Sequence, residues 1–169
     1  MKKIALVTGA NKGIGLETCR QLAKKGFHVL LGSRDEARGR TAAALLAQNG
    51  AQVEAVVVDI AAPATFEAAR TLIEDRFGRL DVLINNAGIG EQEDWQSTAE
   101  NVPIGMLRRT FETNFFGLVD LTQRLLPLLR RSDNPRIVNQ SRLDEKAERA
   151  LGRCGPRVVS SMPYGKDNT

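Results

Sequence analysis

The 169-residue sequence predicts one α/β domain built on a doubly wound parallel sheet with the strand order 3-2-1-4-5. Three observations lead to this prediction. Short apolar segments alternate with longer segments of helical periodicity five times along the chain. The first apolar segment is nearly continuous, as in a strand that is buried on both faces. A glycine-rich turn follows it and leads directly into a helix, a connection that is typical of such sheets.

The first half of the chain carries three β-α units. Residues 4–7 predict strand one, and the helical spacing of Ile14, Thr18 and Leu22 predicts a helix that Gly26 ends. The remaining elements follow in order: strand two at 28–32, helix two at 35–48, strand three at 53–58, and helix three from Pro63 to Gly78.

The second half predicts strand four at 80–85, a long helix at about 104–131 and strand five at 136–140. The expected buried stripe of the long helix is Leu107, Phe111, Leu118, Val119, Leu125 and Leu129. A short amphipathic helix over 144–151 and a brief sixth strand at 157–160 are expected next. These elements would complete one domain over 1–161, followed by a disordered tail at 162–169.

Composition narrows the class of protein. A hydrophobic content of 42% supports a real core, and the net charge of +4 comes from basic residues that are spread along the chain. Few aromatics are present to stack bases, so nucleic acid is not an expected partner. Cys19 and Cys154 form no metal-binding or disulfide spacing, and no apolar run has membrane-spanning length. These features predict a soluble, cytoplasmic protein without a metal site and without a membrane partner.

The turn after strand one has the spacing Gly9-x-x-x-Gly13-x-Gly15. Glycines between a strand and a helix allow the backbone to approach a ligand, and the helix start presents unpaired N–H groups. The turn therefore predicts an anion site, most naturally for a pyrophosphate, although any tight turn favours glycine. The residues at the other strand ends decide between an anion site and a plain tight turn, because ligands of such sheets lie at the carboxyl ends of the strands.

Four motifs in family order resemble the short-chain dehydrogenase/reductase family over about the first 140 residues: Thr8-Gly9-x-x-x-Gly13-Ile14-Gly15, Asn85-Asn86-Ala87-Gly88, Asn114, and Arg136-Ile137-Val138-Asn139. The chain looks most similar to the carbonyl-reductase-like branch, through Gly32-Ser33-Arg34-Asp35 and Thr113-Asn114-Phe115-Phe116-Gly117. The resemblance implies a Rossmann-type fold, hydride transfer from NADPH, and a ketone, aldehyde or quinone as substrate.

The end of strand two favours NADP(H). An acidic residue there would accept from the ribose hydroxyl of NAD, whereas a guanidinium pairs with the 2′-phosphate of NADP. Arg34 occupies this place, and Lys12 adds a second positive charge. Asp35 reads equally well as the N-cap of the next helix, and a solvated loop cation is the alternative for Arg34.

The resemblance also implies roles for the remaining site residues. Asp59 would accept from the adenine amine, with Ile60 beside it, and the alternative for Asp59 is a helix cap. Small residues would line the cofactor ribose, and Asn114 would support a water in the proton relay or make a structural hydrogen bond. The expected cofactor contacts are Gly9, Asn11, Lys12, Gly13, Ile14, Gly15, Arg34, Asp59, Ile60, Asn86, Ala87 and Gly88, and the expected catalytic residues are Asn114 and Ser141.

The C-terminal part departs from the family pattern. The family protonates the forming alkoxide with a Tyr-x-x-x-Lys pair, but the only tyrosine here is Tyr164, with Lys166 two residues later. Arg142 stands where the second family serine is expected, and Ser141 could instead cap a helix. We therefore expect impaired catalysis, with a non-catalytic NADP-binding or partner-binding module as the alternative. Family members commonly dimerise through the long helix, which makes a homodimer through residues 104–131 a further expectation.

Overall fold

A computed structural model describes residues 2–48, 50–90 and 101–140. The first half contains β1 (Ile4–Val7), α1 (Gly13–Lys24), β2 (His28–Ser33), α2 (Glu36–Ala47), β3 (Val53–Val57) and α3 (Ala64–Phe77). The second half contains β4 (Val82–Asn85), then a continuous long helix of α4 (Ile104–Phe111), a π segment (Glu112–Gly117) and α5 (Leu118–Leu129), and finally β5 (Arg136–Asn139). The predicted short helix after 141, the sixth strand and the tail lie outside the described residues.

The five strands form one parallel sheet in the order β3-β2-β1-β4-β5, which confirms the predicted topology. β1 lies at the centre, where Leu6 is paired with Leu30 and Leu83. Its continuous apolar run is buried because helices cover both faces of the sheet. One core cluster contains side chains of α3 and α5, and the other contains side chains of α1 and α2.

The buried face of helix α1 is rotated from the one its apolar spacing predicted, although Leu22 of that spacing packs against the core. Gly15 and Cys19 are the buried residues of α1, whereas Ile14 is 61% exposed. Gly15 approaches Asn86 and the Gly9 carbonyl oxygen closely, and this contact sets the orientation because a residue without a Cβ lets the helix start lie against these two segments. The helix ends as expected, since Gly26 has a positive φ of 85°.

The long helix contains a wider π turn that the sequence pattern did not predict. Leu125 and Leu129 are buried as expected, and Leu107, Leu118 and Val119 are half-buried. The prediction was wrong for Phe111, which is 57% exposed. The π segment places one additional residue in the helix after Phe111, which rotates the preceding turns relative to α5. Among the described residues, no helix combines the length and apolarity needed to cross a membrane.

Candidate functional site

A cleft opens at the carboxyl ends of the strands, over β1, where the sheet connections diverge to either side. It is bounded by the glycine turn, the end of β2, the end of β3 and the segment after β4. Nine of the twelve predicted cofactor residues line it: Gly9, Asn11, Lys12, Arg34, Asp59, Ile60, Asn86, Ala87 and Gly88. Gly13, Ile14 and Gly15 belong to the start of α1 and do not line the cleft.

The glycine turn is locked against the segment that follows β4. Gly9 has a φ of 62°, and a Cβ atom there would lie 2.7 Å from the Cα of Ala87. A Cβ on Gly15 would lie 2.5 Å from Asn86 Nδ2 and 2.8 Å from the Gly9 carbonyl oxygen. Asn86 Nδ2 donates hydrogen bonds to the carbonyl oxygens of Thr8 and Gly9, at 2.8 and 3.1 Å. Only glycine therefore fits at these two positions, and the backbone of the turn can approach a ligand closely.

The Thr8 hydroxyl joins the same two segments from the other side. Its Oγ1 accepts from the backbone N–H groups of Asn86 and Ala87, at 3.0 and 2.9 Å, and Thr8 is 1% exposed. Sequence reasoning treated Thr8 as part of a motif and did not assign it a contact. The signal was its place directly after β1, where a buried hydroxyl must find polar partners.

Basic side chains gather at the β2 end of the cleft. Lys12 and Arg34 line it, and within the described part of the chain neither forms an ion pair. Asp35 accepts from the backbone N–H of Arg38 at 2.9 Å, so its predicted N-cap role is present in the structure. Arg38 also lines the cleft, with its Nε 3.3 Å from an Asp35 carboxylate oxygen. Arg38 was not among the predicted residues, although it lies in the first turn of the helix that Asp35 caps.

Asp59 lines the cleft and makes a local turn contact, and it is not the N-cap of α3, which is Pro63. Its Oδ1 accepts from the backbone N–H of Ala61 at 3.0 Å, a local turn contact before α3. Its backbone N–H donates to Thr65 Oγ1 at 3.0 Å, which orients the residue at the end of β3. Since one carboxylate oxygen is used locally, the other is available at the cleft.

Asn114 makes a structural contact from an exposed position. Its helical spacing with Phe111 and Leu118 predicts a buried place on the apolar face, and this prediction was wrong: Asn114 is exposed in the π segment and faces the segment after β4. Its Nδ2 donates to the carbonyl oxygen of Ile89, and its Oδ1 accepts from the Ile89 N–H, both at 2.8 Å. The Asn114 side chain does not line the cleft, whereas Thr113 and Ile89 do. The second predicted catalytic residue, Ser141, lies outside the described residues.

The cleft thus offers a closely approachable glycine backbone at a helix start, free positive charge at one end, and small residues after β4. A helix N-terminus that follows a glycine-rich turn can bind a phosphate group. Guanidinium and ammonium groups can bind a second phosphate group. This chemistry suits an elongated ligand with phosphates and an adenine ring beside Asp59.

Comparisons with known proteins agree with this geometry. Residues 3–150 match the family model described as short chain dehydrogenase. The chain is 42% identical over 159 residues to short-chain dehydrogenase/reductase 1 of Saponaria officinalis, covering 83% of this chain and 53% of that protein. It is 39% identical over 155 residues to carbonyl reductase [NADPH] 1 of Mus musculus, covering 90% of this chain and 53% of that protein. The chain therefore spans about half the length of these curated relatives.

The fold comparison gives the same result. The menthone neomenthol reductase structure from Mentha piperita superposes with a TM-score of 0.72 at 37% sequence identity, covering 82% of this chain and 60% of that one. Three findings indicate the same family. They are the matched family model, the 3-2-1-4-5 order of the sheet, and the cleft between the glycine turn and the segment after β4. The chain accordingly belongs to the short-chain dehydrogenase/reductase family of oxidoreductases, with carbonyl-reductase-like relatives.

Proposed function

We propose that this chain binds NADP(H) in the cleft and that its chemistry is hydride transfer between this cofactor and a ketone, aldehyde or quinone. The observation that carries the proposal is the placement of Arg34 and Lys12 at the β2 end of the cleft without ion-pair partners among the described residues. A free guanidinium at this point favours the 2′-phosphate of NADP over the bare hydroxyl of NAD. The NADPH named in the description of the mouse relative supports the same choice.

The residues present fit the cofactor. The close packing of Gly9 and Gly15 against the segment after β4 fixes the shape of the turn, and exposed Gly13 would offer its backbone to the pyrophosphate. Arg34 and Arg38 would hold the 2′-phosphate with Lys12 nearby, and Asp59 would accept from the adenine amine. Asn86, Ala87 and Gly88 would lie along the ribose, where only small or tightly anchored groups allow close approach. Gly13, Ile14 and Gly15 would present the helix start to the phosphates.

Catalysis requires a proton at the carbonyl oxygen in addition to the hydride that bound NADPH supplies. Asn114 would act as a positioning residue, because both polar atoms of its carboxamide already hold Ile89 at the cleft wall. By the resemblance to the family, Ser141 is the candidate hydroxyl for a hydrogen bond to the carbonyl. The 169 residues contain no Tyr-x-x-x-Lys pair, so we infer that this chain binds NADPH but turns carbonyls over slowly. A non-catalytic NADP-binding or partner-binding module is the second candidate, favoured by the same absence.

Two measurements on the full chain test the proposal. NADPH fluorescence should rise and saturate on titration with the protein, and quinone reduction should be slow beside that of a carbonyl reductase that carries the Tyr-x-x-x-Lys pair. A lack of NADPH binding would refute the cofactor proposal. Rapid turnover that Tyr164→Phe abolishes would contradict impaired catalysis, whereas binding with no turnover would favour the non-catalytic module.

Assembly and location complete the proposal. The long helix presents Ile104, Phe111, Phe115 and Phe116 with more than half of each side chain exposed, and such apolar surfaces commonly serve contacts between chains. We propose that a second copy packs on this helix to form a homodimer. Sedimentation of the full chain as a monomer at micromolar concentration would refute the dimer.

Cys19 is a free, buried cysteine, which is compatible with the proposed reducing cytoplasmic setting.

A further inference from the structure

The outer edge of β3 carries free backbone groups. β3 is the last strand on its side of the sheet. The backbone N–H of Val58 donates to the carbonyl oxygen of Ser33 at 3.0 Å, which fixes the phase of the bonds between β3 and β2. Because alternate residues of a strand bond the same neighbouring strand, Ala55 and Val57 direct their N–H and C=O groups away from β2. Among the described residues, none bonds these four groups.

The four groups lie along an open groove between α2 and α3, which we call the β3 groove. Its floor is Ala55, Val56 and Val57, its α3 wall contains Ala68 and Leu72, and its α2 wall contains Glu36 and Arg40. Ala68 is exposed and Leu72 is half-buried, so the α3 wall leaves apolar surface uncovered. A further strand can therefore reach the backbone of β3 from this side.

β3 lacks the features that usually protect an edge strand. Such strands commonly carry a proline or a lysine, contain a bulge, or lie under a covering segment. Val53–Val57 has the sequence Val-Glu-Ala-Val-Val, and it pairs with β2 in one unbroken register. Its one charged residue, Glu54, is bonded to His28 and Arg76 of the same chain. An edge of this kind is a template for pairing with a further strand.

The β3 groove is complementary to a second copy of itself. In an antiparallel pair of two β3 strands centred on Val56, Ala55 of each copy lies opposite Val57 of the other. All four free groups of each copy then find a partner in the other, because opposite residues of this kind exchange both hydrogen bonds. The two-fold axis of such a pair sets like helices side by side. The apolar surfaces of Ala68 and Leu72 from the two copies therefore lie on the same face and can meet.

Charge complementarity on α2 supports this occupant. Gly39 lies level with the centre of the pair, because a Cβ there would meet the Cβ atoms of Ser33 and Ala55 at 3.0 and 3.5 Å. Glu36 and Arg40 lie on the two sides of this level, and their side chains are 59% and 75% exposed. The two-fold axis therefore turns Glu36 of each copy toward Arg40 of the other. Opposite charges meet, and no like charges of this wall do.

We propose that two copies of this chain pair antiparallel through β3 and join their sheets into one. The second copy satisfies the free backbone groups and covers the apolar α3 wall of the β3 groove. The long helix lies outside this contact, since it leads into β5 at the other edge of the sheet. The pairing needs no nucleotide, so it stands or falls independently of the proposed NADP(H) binding.

A cysteine at the centre of the pair tests the pairing register in the full chain. Val56→Cys is made in a Cys154→Ser background, and Cys19 stays unreactive because burial raises the pKa of its thiol to about 12. Opposite residues that exchange no hydrogen bonds have Cα atoms about 4.5 Å apart, a distance that suits a disulfide. Copper phenanthroline should therefore link Val56→Cys into a covalent dimer about tenfold or more faster than a control at position 54.

Glu54→Cys is that control, because it lies on the same strand and the same face. In the proposed register the two Cα atoms at position 54 are about 13 Å apart along the strands, too far for a disulfide. The Glu54 side chain is 28% exposed and Val56 is 6% exposed, so random collisions would link position 54 faster. Equal rates, or a faster rate for Glu54→Cys, would overturn the proposal.

Charge reversal on α2 tests the same contact without a change in the core. Glu36→Arg and Arg40→Glu each set like charges across the two-fold axis, whereas the double variant restores opposite charges. Sedimentation equilibrium of the full chain at low salt should give a dissociation constant about tenfold higher for each single variant and the parent value for the double variant. Neither change touches the long helix, so a dimer on that surface would be equally stable in all these chains.

Glu17→Arg is the control for charge reversal, since it changes an exposed, ion-paired glutamate of α1, away from the β3 groove. It should assemble like the parent chain. Single variants that assemble as well as the parent, or a double variant that does not recover, would overturn self-pairing and leave the β3 groove to a strand of another protein.

Discussion

The Asn86 carboxamide donates to two consecutive carbonyl oxygens of the glycine turn, those of Thr8 and Gly9, at 2.8 and 3.1 Å. It ties the turn after β1 to the segment after β4, two backbones that both line the cleft. Asn86→Asp keeps the shape but sets a carboxylate oxygen against two carbonyl oxygens. We expect a loss of about 2 kcal/mol in the free energy of unfolding and weaker NADPH binding. Chemical denaturation measures the first quantity, with Asn134→Asp in an exposed turn as the control, and equal stability of the two variants would contradict the account.

Gly15→Ala tests the closeness of the same two segments. Alanine favours a helix more than glycine does, so a purely local account predicts a more stable α1. The added Cβ would instead lie 2.5 Å from Asn86 Nδ2, so we expect the turn to shift, the melting temperature to fall and the NADPH affinity to drop about tenfold or more. Gly105→Ala, whose Cβ would make only an ordinary contact with Arg109 Nη1 at 3.6 Å, should bind NADPH like the parent. A Gly15→Ala variant that is more stable and binds normally would refute the packing argument.

The ion pairs of Glu74 with Arg131 and Arg70 should make a pH-dependent contribution to stability. Hydrogen bonds from Arg131 and Arg70 lower the pKa of this carboxyl, and the Arg131 contact, at 2.8 Å, ties the end of α5 to α3. A lowered pKa gives stability that is present above the ordinary carboxyl range and is lost as the pH falls through the lowered value. We expect Glu74→Gln to reduce the melting temperature at pH 7 by about 2 °C, and the difference to shrink as Glu74 is protonated.

Asp75→Asn provides the matched control for that experiment, since Asp75 is the exposed neighbour on the same helix. Its melting temperature should follow that of the parent chain at each pH. A Glu74→Gln difference that stays constant from pH 7 to pH 3 would show that the ion pairs are not its source.

The sheet could be predicted because its causes are local in sequence. The continuous run from Ile4 to Val7 and the stops at Gly26 and Gly78 depend on apolar patterning and on positive φ, and both are visible in the residues themselves. The predicted strand boundaries differ from the observed ones by at most two residues. The topology then followed from short, right-handed connections.

The π segment could not be predicted because its causes are distant in sequence. The hydrophobic pattern favours an uninterrupted helix with Phe111 on the buried stripe, but Asn114 is held by Ile89 and the Gly117 backbone by Ile60. The exposure of Ile14 has a similar origin, because the contact between Gly15 and Asn86 sets the rotation of α1. Both errors occurred where the helix packs against strand-end loops rather than against the sheet.

In the cleft, residue type and strand-end position were enough to bring nine predicted residues together. Arg38 was missed because it lies in α2 rather than at a strand end. We expect Arg38→Ala to weaken NADPH binding less than Arg34→Ala does, because the Arg38 charge is already shared with Asp35. Arg40→Ala, on the same helix and paired with Glu36, is the control and should leave the NADPH affinity unchanged.

The central claim is that the cleft at the carboxyl ends of the strands is an NADP(H) site. The ratio of the NADH and NADPH dissociation constants tests this claim most directly. Fluorescence titration of the full chain should give NADPH binding about 100-fold tighter than NADH binding, with most of the difference removed in Arg34→Ala. Equal dissociation constants for the two nucleotides, or an Arg34→Ala variant that keeps the preference, would contradict the account.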